Sequence, residues 1–174
     1  LCVNALSEKG KANKRVIYFD IRKSAELING EWSEESIAEY AASNDRNIID
    51  HGLKSITEDN VDVIIGGPPC QAYSLANRGK NPANNLDYRN YLFESFVEIL
   101  TYFRPKLFVF ENVVGMLSAK PGGIPVTDRI YKAFDDADYE ILPASVFKRA
   151  IFSASDYEVP QKRRRVILIG LDRK

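Results

Sequence analysis

The stretch that decides the fold covers residues 61–71 and reads Val-Asp-Val-Ile-Ile-Gly-Gly-Pro-Pro-Cys-Gln. Its run of β-branched residues, Val63-Ile64-Ile65, is typical of a strand buried on both faces of a parallel sheet. Two glycines then permit positive φ, and two prolines fix φ at about −65°. The pattern predicts a central strand over 61–65 that ends in a stiff turn carrying Cys70.

Similar apolar runs recur along the chain, with helical patterns between most of them. The predicted strands cover 16–20, 61–65, 107–110, 141–147 and 166–171. The predicted helices cover 23–29, 33–43 with Ser33 as N-cap, 90–103, and 128–136 with Thr127 as N-cap. Alternation of strands and helices predicts an α/β fold with a mostly parallel, doubly wound, Rossmann-like sheet.

Composition excludes several protein classes. The chain has 174 residues, of which 45% are hydrophobic, as in one soluble globular domain. No apolar run reaches the roughly 18 residues of a membrane-spanning helix, and we expect no membrane partner. Two cysteines and one histidine are too few for a disulfide framework or a four-ligand zinc site. We therefore expect a cytoplasmic protein without a metal.

Charge is balanced overall but unevenly distributed. Lys and Arg together number 24, as do Asp and Glu. Residues 20–62 carry 11 acidic and 4 basic side chains, whereas residues 148–174 carry 8 basic and 3 acidic ones. The basic end suits a polyanionic partner, and a solvated charged surface is the alternative interpretation.

Three chemically capable segments follow predicted strands. Asp20 ends the first strand, Cys70 follows the second, and Glu111 follows the third. Ligands of open parallel sheets bind beyond the carboxyl ends of the strands, so these residues are expected at one edge. Cys70 is either a nucleophile in a rigid frame or a buried thiol in a tight turn. Glu111 is either a catalytic acid or a helix-start residue that the macrodipole favours.

The segment Gln161-Lys162-Arg163-Arg164-Arg165 leads into the last predicted strand. In a strand, residues 161, 163 and 165 share one face, and their side chains could brace a substrate with forked hydrogen bonds. A charged edge strand that resists aggregation is the alternative.

Together the motifs resemble those of the cytosine-C5 DNA methyltransferases, in particular the bacterial modification type. Pro-Pro-Cys-Gln is followed by Tyr73-Ser74, Glu-Asn-Val begins 41 residues after the cysteine, and Gln-x-Arg-x-Arg begins 50 residues after the glutamate. Residues 87–93, Asp-Tyr-Arg-Asn-Tyr-Leu-Phe, resemble a further segment of that family. The resemblance is weak from about residue 16 and strong from 62 to 170.

The resemblance implies methyl transfer from S-adenosylmethionine to carbon 5 of a cytosine flipped out of double-stranded DNA. It implies Cys70 as the nucleophile at carbon 6 and Glu111 as the donor at ring nitrogen 3. Arg165 would hold the pyrimidine oxygen, and Arg163 the Glu111 carboxylate or a substrate phosphate. The implied contacts to substrate and DNA come from Pro68, Gln71, Ser74, Asn112 and Gln161.

The resemblance also implies a cofactor site. Asp20 would bind the ribose hydroxyls of S-adenosylmethionine and Asp50 its adenine amino group, while Ile21 and Leu92 would wall the adenosine. Pro69 belongs to the same set of expected cofactor contacts. As an alternative, Asp20 and Asp50 are solvated loop acids.

Some parts of the family pattern have no counterpart here, namely the first strand with its glycine-rich loop, the target-recognition region and a final motif. We therefore expect residues 1–174 to form a single catalytic-core domain that folds but is inactive by itself, with no obligate protein partner. Three other functions stay open: the same chemistry on tRNA, a non-catalytic nucleotide-binding or interaction module, and a cysteine hydrolase with His51 as its base.

Overall fold

The computed structural model describes residues 20–41, 52–57, 61–68 and 92–174. The chain divides into two compact units, Leu1–Asn60 and Val61–Lys174. Within the described ranges, no helix is both long enough and apolar enough to cross a membrane.

The first unit contributes three short helices. They are α1 (Ser24–Asn29), α2 (Glu34–Ala41) and α3 (Leu53–Thr57). A left-handed residue, Gly30 at φ 76°, ends α1. Before α2, the Ser33 hydroxyl accepts a hydrogen bond from the Ser36 N–H at 3.3 Å, which confirms the predicted N-cap. The helix predicted over 23–29 is confirmed, and so is the described part of the helix predicted over 33–43. Residues 42–43 of that helix and residues 16–19 of the first predicted strand lie outside the described ranges.

The second unit is built on a mixed sheet. Its strands are β1 (Val63–Gly66), β2 (Leu107–Val113), β3 (Tyr139–Glu140), β4 (Ile151–Ser153) and β5 (Arg164–Asp172). β1 lies parallel to β2, and β5 runs antiparallel on the other side of β2. β3 and β4 pair with the two ends of the far edge of β5, both antiparallel. The predicted α/β class is confirmed, and the described part of the sheet is mixed.

Two helices cover one face of this sheet, α4 (Leu92–Phe103) and α5 (Val126–Asp136). Between them and the sheet lies an aromatic core in which the Phe96 ring contacts Phe108, Phe110 and Phe134 at centroid distances of 5.9, 5.6 and 6.3 Å. Side chains alternate along β2, so Phe108 and Phe110 enter this core while their neighbours face away. Burial of these large rings is the main stabilising contribution to the unit.

Gly170 of β5 makes room for the core. A β-carbon at this position would stand 2.1 Å from the Phe108 ring, nearer than any real contact. The ring therefore requires a glycine opposite it.

The other face of the sheet carries both apolar and charged side chains. Val63, Ile65, Ile169 and Leu171 are each at least half exposed there. Alternation from Phe110 and Val166 places Glu111 and Arg165 on this same face, at its end nearest the turn after β1.

Two expectations were wrong. Residues 141–147 do not form a strand: after β3, Pro143 precedes 3₁₀ turns over Ala144–Ala150, and Phe147 is buried from this turn rather than from a sheet. Thr127 does not cap α5, because the helix begins one residue earlier at Val126, preceded by Pro125 with φ −57°. The first N–H of the helix, that of Val126, donates instead to the Ala119 carbonyl at 3.0 Å.

A polar cluster closes the opposite end of the sheet. Arg104, just after α4, has φ 47°, and its guanidinium pairs with Asp172 and donates to the Ala137 carbonyl at 2.6 Å. The same guanidinium lies 5.1 Å from the centroid of the Tyr139 ring. The Tyr139 hydroxyl donates to the Pro105 carbonyl at 2.9 Å. Burial raises the pKa of Tyr139 to about 12.

Candidate active site

Glu111 and Asn112 close β2 with side chains on opposite faces. Glu111 lies on the exposed face and keeps 37% of its side-chain surface accessible, whereas Asn112 enters the core and is 3% exposed. The predicted strand over 107–110 is therefore three residues longer, and its polar end supplies the candidate site.

Arg165 is the close partner of the Glu111 carboxylate. Its Nε lies 2.6 Å from Glu111 Oε1, while the nearest nitrogen of Arg163 is 4.0 Å from the same oxygen. Arg165 pairs with Val113 across the ladder, so it reaches Glu111 along the diagonal of one sheet face. The close contact with Glu111 that was expected of Arg163 is therefore made by Arg165, while the expected roles of Arg165 at the pyrimidine oxygen and of Arg163 at a phosphate stay predictions.

Gly67, the first residue after β1, packs against the other carboxylate oxygen. A β-carbon on Gly67 would stand 2.9 Å from Glu111 Oε2. A side chain here would therefore push the carboxylate aside. Gly67, the second glycine of the motif, therefore allows the Glu111 carboxylate to lie close to the backbone of the turn.

Asn112 ties the end of β2 to the same turn. Its Nδ2 donates to the Pro68 carbonyl at 3.5 Å, and its Oδ1 accepts the Val113 N–H at 2.8 Å. Both polar atoms of this buried amide are engaged, as buried polar groups require. The amide of Asn112 is therefore not exposed for the expected contact with DNA. Pro68, also expected at the substrate, is buried.

Gln161 and Arg163 lie before the strand rather than in it. β5 begins at Arg164, and the Gln161 carbonyl accepts the Arg163 N–H at 2.9 Å in the preceding turn. The predicted face shared by residues 161, 163 and 165 therefore does not form as a strand face. Both side chains are exposed, and their expected contacts with substrate stay predictions.

A family model described as "C-5 cytosine-specific DNA methylase" matches residues 17–174. The chain belongs to this family. Its match confirms the resemblance carried by the cysteine, glutamate and arginine motifs.

Individual members of the methylase family match most of the chain. The chain is 42% identical over 130 residues to Type II methyltransferase M.Bpa9945I of Bacillus paralicheniformis, covering 73% of this chain and 29% of that protein. It is 42% identical over 128 residues to Type II methyltransferase M.DdeI of Desulfomicrobium norvegicum, covering 73% and 28%. The solved structure of the methyltransferase EhMeth of Entamoeba histolytica is 22% identical, with a TM-score of 0.48 over 89% of this chain and 44% of that one. The chain spans under a third of the length of these two curated relatives.

Methylase family membership implies S-adenosylmethionine, and Asp20 has the chemistry to bind a ribose diol. Its Oδ1 accepts the Arg22 N–H at 2.9 Å, and its Oδ2 accepts the Arg22 Nε–H at 2.8 Å. Hydrogen bonding from Arg22 holds the pKa of Asp20 below its usual value, so the group stays an anionic acceptor. The Arg22 guanidinium also donates to both oxygens through Nε and Nη2, so a ribose diol would have to share the carboxylate with Arg22, and this role of Asp20 stays a prediction.

The remaining cofactor and substrate predictions divide by position. Ile21 is half-buried next to Asp20, and Leu92 is buried at the start of α4. Several predicted residues lie outside the described ranges, namely Asp50, Pro69, Cys70, Gln71 and Ser74. Their roles stay predictions.

An aromatic pair beside the site was missed from the sequence. Phe152 of β4 is the cross-strand partner of Arg165. Its ring centroid lies 6.4 Å from that of Tyr157, and the two residues are 38% and 61% exposed. The aromatic residues were visible in the sequence, but the short β4 was not predicted, so nothing placed them beside Arg165.

Proposed function

We propose that the protein transfers a methyl group to carbon 5 of cytosine in DNA. The supporting observation is the Glu111 carboxylate, held between Arg165 and Gly67 at the end of β2. Gly67 also opens the turn whose following residues in the sequence are Pro68, Pro69 and Cys70. A fixed acid beside the segment that carries a thiol is what addition to a pyrimidine ring requires.

The chemistry explains the residue types. Carbon 5 of cytosine is too electron-poor to attack a methyl group directly. The Cys70 thiolate forms a bond to carbon 6, and the electron pair of the 5,6 double bond makes carbon 5 a nucleophile. S-adenosylmethionine, when bound, supplies the methyl group. Carbon 5 then loses its proton, the double bond returns, and the bond from Cys70 to carbon 6 breaks.

Glu111 handles the charge that appears on the ring. As the thiolate adds, ring nitrogen 3 gains electron density, and Glu111 donates a proton or hydrogen bond to that atom. Arg165 keeps the carboxylate in one orientation through its 2.6 Å contact. Arg163, half exposed, binds a substrate phosphate, and Arg165 also holds the pyrimidine oxygen. Asp20 binds the ribose hydroxyls of the cofactor.

The target cytosine is flipped out of the duplex, since neither ring carbon is accessible in the stack. Gln71 and Ser74 contact the flipped nucleotide. Residues 162–165 attract the phosphate backbone, which positions the duplex without reading its sequence.

Covalent trapping tests the proposal. The intact protein that contains this chain is incubated with S-adenosylmethionine and DNA in which cytosine is replaced by 5-fluorocytosine. Fluorine cannot leave carbon 5 as a proton does, so a denaturation-resistant complex is expected with wild type and not with Cys70→Ser.

Two controls make this test decisive. Cys70→Ser should still bind DNA, because a hydroxyl differs from a thiolate chiefly in nucleophilicity. The same analogue incorporated into tRNA provides the RNA comparison. If the protein is trapped on tRNA and not on DNA, the substrate is RNA. If Cys70→Ser is also trapped, Cys70 is not the nucleophile.

A further inference from the structure

We propose that Phe152 and Tyr157 form a stacking surface for a nucleobase of the substrate strand, beside the Glu111–Arg165 pair. The inference rests on the proposed function for the class of substrate. The base is a neighbour of the reacting cytosine in the same nucleic acid.

The ladder places Phe152 next to the candidate site. Phe152 lies directly opposite Arg165 in the antiparallel pair of β4 and β5, and directly opposed side chains stand on one face of a sheet. Arg165 in turn contacts Glu111 on that face. One strand spacing, about 5 Å, separates the backbone carrying the ring from the backbone carrying the guanidinium.

Both rings are accessible to solvent. They are 38% and 61% exposed, with centroids 6.4 Å apart and planes inclined by 38°. Two rings this close leave no gap for a base between them, so they form one continuous platform rather than a clamp. Exposed aromatic faces accept any base, because every base offers a π-surface.

Hydrogen bonds hold the segment between the rings. The Ala154 N–H donates to the Arg163 carbonyl at 2.9 Å, and the Val159 N–H donates to the Ala154 carbonyl at 3.3 Å. The hydroxyls of Ser153 and Ser155 lie 2.8 Å apart and are hydrogen-bonded. The platform is therefore attached to the same residues that lead into β5, and little ordering is needed on binding.

Exposed charge around the platform is basic on balance, because two acids, Asp156 and Glu158, flank Tyr157 and three exposed basic residues follow. Lys162, Arg163 and Arg164 are all exposed in the segment that follows the rings. Basic groups bind phosphates while aromatic rings stack on bases, which is the usual composition of a surface for single-stranded or splayed nucleic acid.

The test compares two fluorescently labelled probes of equal length, a short single-stranded DNA of mixed sequence and its fully abasic counterpart. Binding is measured with the intact protein carrying Phe152→Ala or Tyr157→Ala. Each variant should weaken binding of the base-containing strand about fivefold or more, and should leave the abasic strand within error of wild type. Tyr157→Phe should restore wild-type binding, because the ring is retained.

Tyr102→Ala is the matched control. Tyr102 is an exposed aromatic residue of α4, 41% exposed, whose ring packs on Phe103. It should change neither affinity. Equal losses on both probes, or no loss in a Tyr157→Ala protein with an unchanged melting temperature, would overturn the proposal. A protein that binds the base-containing strand in this way but fails the trapping experiment would refute the methylation proposal and leave the stacking surface standing.

Discussion

Each oxygen of the Glu111 carboxylate has a different neighbour. Oε1 faces the Arg165 Nε at 2.6 Å, and Oε2 faces the backbone of Gly67. These two neighbours come from β5 and from the turn after β1, so the carboxylate is bounded on two sides. Its orientation is fixed before any substrate arrives, which is the condition for efficient proton donation.

Replacing Glu111 by Gln should slow methyl transfer about 10²-fold while leaving DNA affinity nearly unchanged. Glutamine can still donate a hydrogen bond to ring nitrogen 3 but cannot deliver a proton. Single-turnover methyl transfer and DNA binding by the intact protein are measured side by side. Glu140→Gln, an exposed glutamate of β3, is the control. An unchanged single-turnover rate in the Glu111→Gln variant would show that Glu111 has no catalytic role.

Replacing Gly67 by Ala should displace the Glu111 carboxylate, because the added carbon would stand 2.9 Å from Oε2. A misplacement near 1 Å costs about 10²-fold in rate. The double variant Gly67→Ala, Glu111→Asp shortens the acid and makes room for the new methyl group. If steric displacement is the cause, the two substitutions should be non-additive in single-turnover rates. Strict additivity would show that Gly67 acts through the turn alone.

At the scale of elements, the sequence correctly predicted the helices and strands whose apolar residues recur with a regular period. α4 and β2 have strong apolar periodicity, and both were predicted within a few residues. The strand predicted over 141–147 was wrong because apolar, β-branched residues also suit a buried turn, and Pro143 starts one there. Local pattern does not distinguish these two uses.

For the candidate site, the sequence motifs pointed to individual residues but not to their arrangement in space. The motifs supplied Glu111 and Arg165, and the structure brings them together. The closer approach of Arg165 than of Arg163 to Glu111 depends on β5 beginning at Arg164. The position of Phe152 depends on cross-strand register, which arises from pairing of distant segments and leaves no mark in the local sequence.

A short 3₁₀ turn, Ala154–Tyr157, lies between β4 and β5, and the residue that ends it, Glu158, is strained. Glu158 has φ 62°, a left-handed conformation that costs a side-chain-bearing residue about 1–2 kcal/mol. Glu158→Gly removes this strain, while the more flexible unfolded chain offsets about 0.4–1 kcal/mol of the gain. The free energy of unfolding, measured in urea, should rise by about 0.5–1 kcal/mol.

The same substitution in an extended strand should act in the opposite direction. Glu140→Gly in β3 has no left-handed strain to relieve and should lower the free energy of unfolding by about 0.5–1 kcal/mol. Destabilisation by both variants would mean that Glu158 makes contacts worth more than its strain.

At the scale of the molecule, the sheet has a polar cluster at each end. One end holds Glu111 and Arg165, and the other holds Arg104, Tyr139 and Asp172. The second cluster joins the end of α4 to β3 and β5, and its Tyr139 is itself part of the buried core. It is therefore expected to govern global stability rather than chemistry.

Tyr139 should make stability fall at alkaline pH. Burial raises its pKa from 10.0 to about 12, so the folded state favours the protonated phenol. The resulting stabilisation, about 2–3 kcal/mol, is fully present below pH 10 and is lost as pH rises from 10 to 12. Urea unfolding at a series of pH values should show this fall.

Tyr139→Phe provides the comparison. It should lose about 1 kcal/mol near neutral pH, because the Pro105 carbonyl loses its hydrogen bond. The difference between wild type and variant should then shrink and change sign at alkaline pH. Two curves that remain parallel across this range would assign the alkaline loss to other groups.

β5 runs between the two ends of the sheet, and this limits how its sequence can evolve. Side chains alternate along the strand, with Arg165 on one face and Gly170, under the Phe108 ring, on the other. Inserting or deleting one residue between them would reverse this relation, turning the guanidinium into the core or setting a side chain against the ring. The fit of the Phe108 ring against Gly170 therefore determines which face of the sheet Arg165 occupies at the other end of the strand. Near Arg165, changes in length are therefore expected in the loop before Arg164 rather than within the strand.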